Sequence, residues 1–282
     1  MRRLAPLLAT VVLVGCSSDA KGSPEVGVAT STSSSTNVPV SSSSTTSSTS
    51  STSTSSTTTT TTVPDLLGEE VIGTSAGGRP ITAFHRGTPG GTVVLVVGVI
   101  HGNEAAGLGV IDVLRTAPLP PGIDLWLLPE LNPDGVAAGT RGNANLVDLN
   151  RNFPHDWVAL DEPGAYEYSG TGPASEPETQ AFIAFTERIR PRLTLWYHQD
   201  LYRISPSTGA DAALRQRYAE LTGLDYLSVT GGRYSGVAAT WVRTSLPRAL
   251  SFIVELGPSL SAEEAVVHAS AVLEISTMAA SG

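Results

Sequence analysis

The stretch "TVVLVVGVIHGNE", Thr92 to Glu104, joins a long apolar run to a short polar segment. The run is mostly β-branched and nearly unbroken, which predicts a strand that is buried on both faces. The following segment, "HGNEAAGLGVIDVLRT", carries apolar residues near helical spacing, which predicts a helix. A buried strand that leads directly into a helix is the repeating unit of α/β proteins, so this stretch decides the fold class.

Strand-like and helix-like segments continue to alternate along the chain. A hairpin is predicted over 73–87, with its turn at Gly77-Gly78, and "ELNPDG" (130–135) is predicted as a turn-rich loop. Further strands are predicted at 123–129, 193–198 and 249–256, and further helices at 175–191, 211–221 and 261–275. This order predicts an α/β fold, a three-layer sandwich around a mostly parallel, mixed central sheet.

Two of the predicted helices begin with the sequence of a capping box. Ser175 is followed three residues later by Glu178, and Ser261 is followed by Glu264. In a capping box the two side chains each accept a backbone N–H at the start of the helix. Both serines are therefore predicted as N-caps.

The first residues have the composition of an export signal. Two arginines precede "LAPLLATVVLVGC", an apolar run that is too short to span a bilayer permanently. Residues 1–15 are therefore predicted as a signal peptide. "LVGC" is similar to the bacterial lipobox, in which the cysteine is lipidated, and Cys16 is the only cysteine of the chain. We expect a protein anchored by its lipid alone to the outer face of the cytoplasmic membrane; the alternative is an ordinary signal peptide.

Residues 16–64 are predicted to be a disordered stalk after the lipidated cysteine. Serine and threonine dominate this segment, and such a composition cannot bury enough apolar surface to fold. Residues 65–282 have the length of one domain. The formal net charge of −9 argues against nucleic acid as a partner. The sequence shows no sign of an obligatory protein partner.

Three predicted strands deliver polar side chains to one edge of the sheet. His101 and Glu104 follow the first strand, while His198 and Glu255 stand near the ends of two others. Ligand sites of open α/β sheets lie beyond the carboxyl ends of the strands. Two histidines and a carboxylate with an open fourth position are typical of catalytic zinc, and another carboxylate nearby is the expected general base. Taken singly, a residue such as His198 is more often a hydrogen-bonded histidine at a strand end, and one such as Glu255 more often a capping or salt-bridged carboxylate.

The stretch "RGNANLVDLNRNFP", Arg141 to Pro154, concentrates guanidinium and amide donors. Donors at this density either brace loops or hold an anionic ligand. The apolar-and-acid run at 146–149 is long enough for one strand.

These motifs together resemble the zinc carboxypeptidase family. "HGNE", "NPDG", the donor-rich stretch, "SGTGPASEPETQAF" and "VELG" follow in the order and spacing of that family. The resemblance is greatest to its bacterial murein tripeptide amidase branch, which cuts the γ-D-glutamyl–diaminopimelate bond of cell-wall peptides. It covers nearly all of residues 73–256.

The resemblance implies one Zn²⁺ per chain, held by His101, Glu104 and His198. It implies that Glu255 takes a proton from the attacking water and passes it to the leaving amine. It further implies that Arg141 stabilises the oxyanion.

By the same resemblance, Asn150 and Arg151 bind the free terminal carboxylate of a peptide or peptidoglycan-peptide substrate. Asp148 accepts the other ring N–H of His101. The remaining asparagines of the stretch are expected to brace loops: Asn143, Asn145 and Asn152.

The sequence departs from the family pattern near the substrate. Gly232 stands where members carry a tyrosine over the bound substrate, and Tyr234 is the candidate to replace it, with packing on the loop as the alternative. The pocket segment "GVAATW" (236–241) contains no charged residue. Three residues elsewhere are candidates for recognising a charged side chain: Asp200, Arg203 and Arg233.

Three histidines lie outside the predicted site. His85 and His268 are expected to be structural, and His155 is a candidate for the rim of the site.

The sequence leaves several classes of function open. The main hypothesis is a zinc-dependent hydrolase of peptidoglycan peptides. The alternatives are a general metallocarboxypeptidase and a catalytically inactive lipoprotein that binds wall peptides; a zinc-dependent deacylase of small amino acids fits the motifs less well.

Overall fold

A computed structural model describes residues 65–282, so the predicted signal peptide, Cys16 and the stalk lie outside the described residues. Eight strands form one sheet: β1 Leu66–Thr74, β2 Pro80–Gly87, β3 Thr92–Val99, β4 Ile123–Glu130, β5 Leu193–Gln199, β6 Arg203–Ile204, β7 Asp225–Tyr226 and β8 Leu250–Leu256. The α-helices are α1 Gly107–Leu114, α2 Pro133–Ala138, α3 Pro177–Ile189, α4 Ala212–Thr222, α5 Ala238–Ser245 and α6 Ala262–Ser281, and a 3₁₀ helix covers Leu149–Arg151. Within residues 65–282, no helix is long and apolar enough to cross a membrane.

The strands follow the order β1-β2-β4-β3-β5-β8-β6-β7 across the sheet. The pairs β3–β4, β3–β5, β5–β8 and β6–β7 are parallel. The pairs β1–β2, β2–β4 and β6–β8 are antiparallel. The prediction of a mostly parallel, mixed sheet is confirmed, and its parallel centre is the part that carries the site.

Helices cover both faces of the sheet. Successive residues of a strand point to opposite faces, so Tyr197 packs with α1, α4 and α6 on one side. Its neighbour Trp196 packs with α3 and α5 on the other side. The central strand β3 is buried on both faces, as its unbroken apolar run predicts. The three-layer sandwich is confirmed.

The start of α3 differs from the prediction. Ser175 is not its N-cap; the helix begins at Pro177 after Glu176. A proline fits this first helical position because its missing N–H needs no partner there. Glu178 instead accepts the backbone N–H of Ala76 at 2.9 Å. A tertiary contact has replaced the local capping box.

The capping box at the start of α6 is confirmed. Ser261 Oγ accepts the backbone N–H of Glu264 at 3.1 Å, and Glu264 Oε2 accepts that of Ser261 at 2.8 Å. Both residues are exposed, so no tertiary contact competes for them.

Two local predictions in the loops are wrong. "NPDG" is not simply a turn, because the Asn132 side chain accepts the Gly135 N–H at 2.9 Å and caps the short helix α2. The run 146–149 forms no strand, since Leu146 has a φ of +62° and Asp148 caps the 3₁₀ helix. In both places an Asx side chain competes with the regular backbone pattern.

A glycine contact joins two of the motifs. A Cβ atom on Gly102, in "HGNE", would lie 1.9 Å from the carbonyl carbon of Gly135 in "NPDG". The Asn132 side chain also donates to the carbonyls of Ile100 and Arg141, each at 3.2 Å. The backbone segments that carry the site are thereby held against each other.

Candidate active site

The site is built at the carboxyl ends of β3, β5 and β8. His101 follows β3, while His198 and Glu255 are paired residues of the parallel neighbours β5 and β8. Glu104 lies in the turn between β3 and α1. The strands therefore bring these four residues together, as their positions at the strand ends predict.

His101, Glu104 and His198 form a buried cluster that can hold a metal ion. Glu104 Oε2 lies 2.9 Å from His101 Nδ1 and 2.9 Å from His198 Nδ1. One ligand atom of each residue lies within 4.8 Å of the others. Two imidazole nitrogens and a carboxylate oxygen converging in this way fit zinc.

Asp148 fixes the orientation of one metal-binding ring. Its Oδ1 lies 2.9 Å from His101 Nε2, and its Oδ2 accepts Arg141 Nε at 3.0 Å. A carboxylate on Nε2 leaves Nδ1 of His101 as the ligand atom, which is the side that faces Glu104. This is the contact that the family resemblance implies for Asp148.

The cluster is electrostatically prepared for a cation. Burial alone favours the neutral carboxyl, but hydrogen bonds to His101 and His198 outweigh it and hold the pKa of Glu104 far below its usual range. Burial also lowers the pKa of His198, which favours its neutral ring. Burial acts in the same direction on the pKa of His101, but Asp148 and Glu104 outweigh it and raise the pKa of that ring. A neutral imidazole and an ionised carboxylate are the forms that bind metal.

Glu255 is a half-buried carboxyl with unused hydrogen-bonding capacity. Its Oε2 atom is buried and has no hydrogen-bond partner among the described residues. Burial, and after it the negative charge of Glu104, raises the pKa of Glu255 to about 7. A carboxyl with such a pKa can both accept and return a proton near neutral pH.

Arg141 lies directly against the metal cluster. Its Nη1 is 2.9 Å from Glu104 Oε1 and 3.1 Å from His101 Nδ1, and its Nη2 is 2.8 Å from Asp148 Oδ2. The ring of Tyr166 covers the guanidinium at 4.2 Å. Positive charge is therefore held where a reacting carbonyl would meet the metal cluster.

Asn150 and Arg151 lie in the 3₁₀ helix beside the cluster. Asn150 Oδ1 accepts the backbone N–H of Ala238 at 3.0 Å, which turns its side chain towards α5. Arg151 Nη2 is paired with Glu167 at 2.6 Å, while its Nε has no partner among the described residues. The sequence gives no signal for Glu167, because a loop brings it to Arg151.

These residues line a single cavity of about 440 Å³. The metal cluster, Glu255, Arg141, Asn150 and Arg151 all contribute to its wall, and Asp148 lies behind Arg141. Tyr234 also lines it, although 58% of this residue is exposed. The Tyr234 hydroxyl lies 3.5 Å from the point where a side chain at Gly232 would begin. The phenol thus covers the position that carries a tyrosine in the family pattern.

Asn143, Asn145 and Asn152 brace loops, as predicted. Asn143 and Asn145 each donate to Glu176 Oε2 at 2.8 Å. Asn152 donates to the carbonyl of Ser169 at 2.9 Å. Thus the donor-rich stretch serves both purposes: some of its donors hold loops, and others face the cavity.

The predicted charged residues of the pocket are only partly in place. Asp200 lines the cavity. Arg203 instead donates to the carbonyl of Leu201, and Arg233 is exposed and pairs with Asp161 and Glu167.

Two arginines that the sequence analysis missed also line the cavity: Arg215 of α4 and Arg243 of α5. Arg243 stands three residues after Thr240, and Arg243 Nη2 donates to Thr240 Oγ1 at 3.0 Å. Helical spacing from the pocket segment is the signal that identifies Arg243.

The other histidines lie apart from the cluster. His85 stacks on Trp126 at 3.9 Å and pairs with Asp124, and His268 lies 2.9 Å from the hydroxyl of Tyr218. Both are structural, as predicted. His155 pairs with its neighbour Asp156 at 3.2 Å and is not part of the cavity wall, so the rim assignment is wrong.

The matching family model is that of the zinc carboxypeptidases, over residues 54–204, more than half of the chain. The murein peptide amidase A of Escherichia coli (strain K12) is 30% identical over 187 residues, which cover 62% of this chain and 76% of that protein. The crystal structure of murein-tripeptide amidase MpaA from Escherichia coli O157 has a TM-score of 0.61 at 27% identity, covering 74% of this chain and 91% of that one. Carboxypeptidase A from Helicoverpa armigera shares the fold, with a TM-score of 0.66 at 20% identity, covering 77% of this chain and 68% of that one.

The chain therefore belongs to the zinc carboxypeptidase family. It is a hydrolase of this class, and zinc is its cofactor, for which His101, Glu104 and His198 supply the buried site. Among its relatives are murein peptide amidases.

Proposed function

We propose that the protein hydrolyses the amide bond before the C-terminal residue of peptidoglycan peptides, the γ-D-glutamyl–diaminopimelate bond. One observation carries this proposal: Asn150 and Arg151 share a cavity wall with the metal cluster and Glu255. A carboxylate-binding pair at this position selects a bond next to a free chain end. The similarity to murein peptide amidase A supports the identity of that bond.

Arg151 and Asn150 bind the terminal carboxylate. A guanidinium suits a carboxylate because it can donate two parallel hydrogen bonds. Glu167 already holds Nη2 of Arg151, which fixes the guanidinium and leaves Nε available. The Ala238 N–H orients the amide of Asn150 in the same way.

His101, Glu104 and His198 hold the zinc ion. When bound, zinc polarises the substrate carbonyl and lowers the pKa of a bound water towards about 7. Glu255 accepts the proton of the attacking water and delivers it to the leaving amine. Its raised pKa suits both steps, because the carboxyl is present in both forms near neutral pH.

Arg141 stabilises the negative charge that develops on the carbonyl oxygen. It is fixed by Asp148 and Glu104, so little reorganisation is needed when the charge appears. Asp148 is a positioning residue that holds both Arg141 and His101. Tyr234 covers the substrate from the rim, where its phenol lies over Gly232.

The N-terminal residues suggest where the reaction takes place. We propose that residues 1–15 direct export, that lipidated Cys16 anchors the protein to the outer face of the cytoplasmic membrane, and that residues 16–64 form a stalk. The stalk then carries the catalytic domain, 65–282, towards the wall. Labelling with a radioactive fatty acid tests this anchor; Cys16→Ser is expected to abolish incorporation.

A general metallocarboxypeptidase is the second candidate. The segment Val237–Thr240 carries no charge, and small apolar residues here also suit ordinary C-terminal residues. A catalytically inactive wall-peptide binder is disfavoured because the cluster, Glu255 and Arg141 are all present. Loss of one of these groups is what that alternative leads us to expect.

A comparison of two substrates separates the candidates. The zinc-loaded full chain is incubated with L-Ala-γ-D-Glu-diaminopimelate and with an ordinary L-peptide of equal length, and released residues are identified by mass spectrometry. Release of diaminopimelate supports the proposal. Release from the L-peptide alone identifies a general carboxypeptidase, and release from neither, with zinc bound, favours the binding protein.

A further inference from the structure

Arg215 and Arg243 form a basic floor at one end of the catalytic cavity. Both side chains converge on one backbone oxygen, the carbonyl of Ser251: Arg243 Nη1 lies 2.8 Å and Arg215 Nη2 lies 3.3 Å from it. Both residues also line the cavity wall. Two guanidinium groups have therefore been brought together at the wall of the cavity.

The two arginines differ in how their charge is balanced. Arg215 is buried and paired with Asp211, whose Oδ2 lies 2.6 Å from its Nη2. Arg243 bonds only neutral oxygens, those of Ser251 and Thr240, and within residues 65–282 no carboxylate forms an ion pair with it. The floor consequently keeps one positive charge without a counterion.

The strand β8 connects this floor to the reacting end of the cavity. Alternate residues of a strand share a face, so Ser251, Ile253 and Glu255 form one row. Four residues of strand span about 13 Å, which sets the floor well away from the base. Between Ser251 and Glu255 this row carries only Ile253, an uncharged residue that lines the cavity, as Ala239 does. A long aliphatic side chain with an anionic end fits this path.

We propose that Arg243, supported by the Arg215–Asp211 pair, selects substrates whose released residue ends in a side-chain carboxylate. The inference rests on the proposed function and identifies a residue that determines its substrate specificity. Diaminopimelate carries such a carboxylate at the far end of its side chain. Lysine has the same carbon chain and amine without that carboxylate, so the two residues differ only in the group that Arg243 recognises.

The test compares L-Ala-γ-D-Glu-diaminopimelate with L-Ala-γ-D-Glu-L-Lys as substrates of the zinc-loaded full chain. The wild-type protein is expected to have a kcat/KM that is about 10- to 100-fold higher for the diaminopimelate peptide, the range typical of one charge-assisted hydrogen bond. Arg243→Gln is expected to remove this preference, chiefly by lowering kcat/KM for the diaminopimelate peptide. The surface variant Arg217→Gln should retain the preference.

A second variant covers the case in which Arg243→Gln does not fold. Thr240→Asp places a carboxylate beside Arg243 at the position of an existing hydrogen bond and neutralises its charge. It is expected to reduce the preference similarly. Equal kcat/KM values for the two peptides in the wild type, or an undiminished preference in both folded variants, would overturn the inference.

A second pair of substrates separates this inference from the proposed function. Benzoyl-glycyl-diaminopimelate and benzoyl-glycyl-lysine keep the released residues and replace the γ-D-glutamyl group. One outcome is that the protein cleaves only these two benzoyl-glycyl substrates and prefers the diaminopimelate one in a way that depends on Arg243. That result would refute the wall-peptide function and support the inference. If no peptide is cleaved, the preference is measured as the ratio of the calorimetric Kd values for the two tripeptides. Equal Kd values would overturn the inference.

Discussion

The position of Glu255 determines how the site can move a proton. Its partner in the sheet is the metal-binding residue His198, so the fold fixes it beside the cluster. One of its oxygen atoms is buried and has no hydrogen-bond partner within residues 65–282, which leaves it free for a water or an amine. Arg141 is placed just as firmly by Asp148 and Glu104, and the role that we propose for it is electrostatic. Two single-residue changes test these separate tasks.

Replacing the base is expected to separate chemistry from metal binding. Glu255→Gln keeps the size of the side chain and removes its ability to take a proton. We expect kcat to fall by at least 10²–10⁴, the usual contribution of general acid–base catalysis, with zinc content near one per chain. Steady-state kinetics and metal analysis check this, with the exposed Glu263→Gln as control. Wild-type turnover in Glu255→Gln would show that another group is the base.

Removing the arginine at the cluster is expected to reduce kcat more than it changes KM. Arg141→Ala should lower kcat by about 10²–10³, since a lost oxyanion donor typically costs this much. The guanidinium also contacts Glu104 and Asp148, so zinc content is measured in parallel. A large rise in KM at unchanged kcat would instead assign Arg141 to ground-state binding.

At the scale of elements, the site depends on how closely two turns approach each other. The turn after β3 carries His101 and Glu104, and it packs on the start of α2 through Gly102 and Gly135. Any side chain at Gly102 would overlap the backbone of the other turn. Stability and metal binding are therefore coupled at this contact.

Gly102→Ala is expected to destabilise the protein by about 1–3 kcal/mol, the usual cost of overpacking. Displacement of the turn should also weaken zinc binding, because two ligands belong to it. Denaturant unfolding and a zinc titration measure the two effects. Gly172→Ala is the matched control, since a Cβ there meets no atom within 4 Å. Unchanged stability in Gly102→Ala would contradict the tight contact.

The elements also show what a sequence can predict. His101, His198 and Glu255 could be placed because the carboxyl ends of parallel strands share one edge. The contact of Glu167 with Arg151 could not, because a loop without a periodic pattern brings it there. The capping box at Ser175 failed because Ala76, a distant residue, competes for Glu178. Arg243 was within reach, because it lies three residues, about one helical turn, after Thr240 of the pocket segment.

For the whole molecule, the two faces of the sheet serve different purposes. The cavity lies at the carboxyl ends of the strands. On the face of the sheet that α1, α4 and α6 cover, a group of buried polar side chains forms hydrogen bonds. Tyr197 and Tyr218 share a hydrogen bond of 2.7 Å, and Tyr218 contacts His268 Nδ1 at 2.9 Å. These groups stabilise the packing of α4 and α6 rather than the chemistry.

The buried hydrogen-bonded group of Tyr197, Tyr218 and His268 makes the stability of the fold depend on pH. Burial lowers the pKa of His268 from its ordinary value of 6.5 to about 4. Between these values the unfolded chain binds a proton that the folded chain does not, so the free energy of unfolding decreases as pH falls from 6.5 to 4. The loss from this residue is about 3 kcal/mol. Denaturant unfolding at several pH values should show a smaller loss in His268→Gln, whereas His155→Gln, at a half-buried loop position, should follow the wild type.

The claim that the protein hydrolyses the γ-D-glutamyl–diaminopimelate bond can be tested in water enriched with ¹⁸O. The zinc-loaded full chain is given L-Ala-γ-D-Glu-diaminopimelate, and both products are analysed by mass spectrometry. We predict that L-Ala-D-Glu gains one ¹⁸O atom, in the carboxylate formed from the cleaved amide, and that diaminopimelate gains none. An intact tripeptide after incubation with protein that has bound zinc would contradict the claim, as would cleavage at the L-alanyl bond.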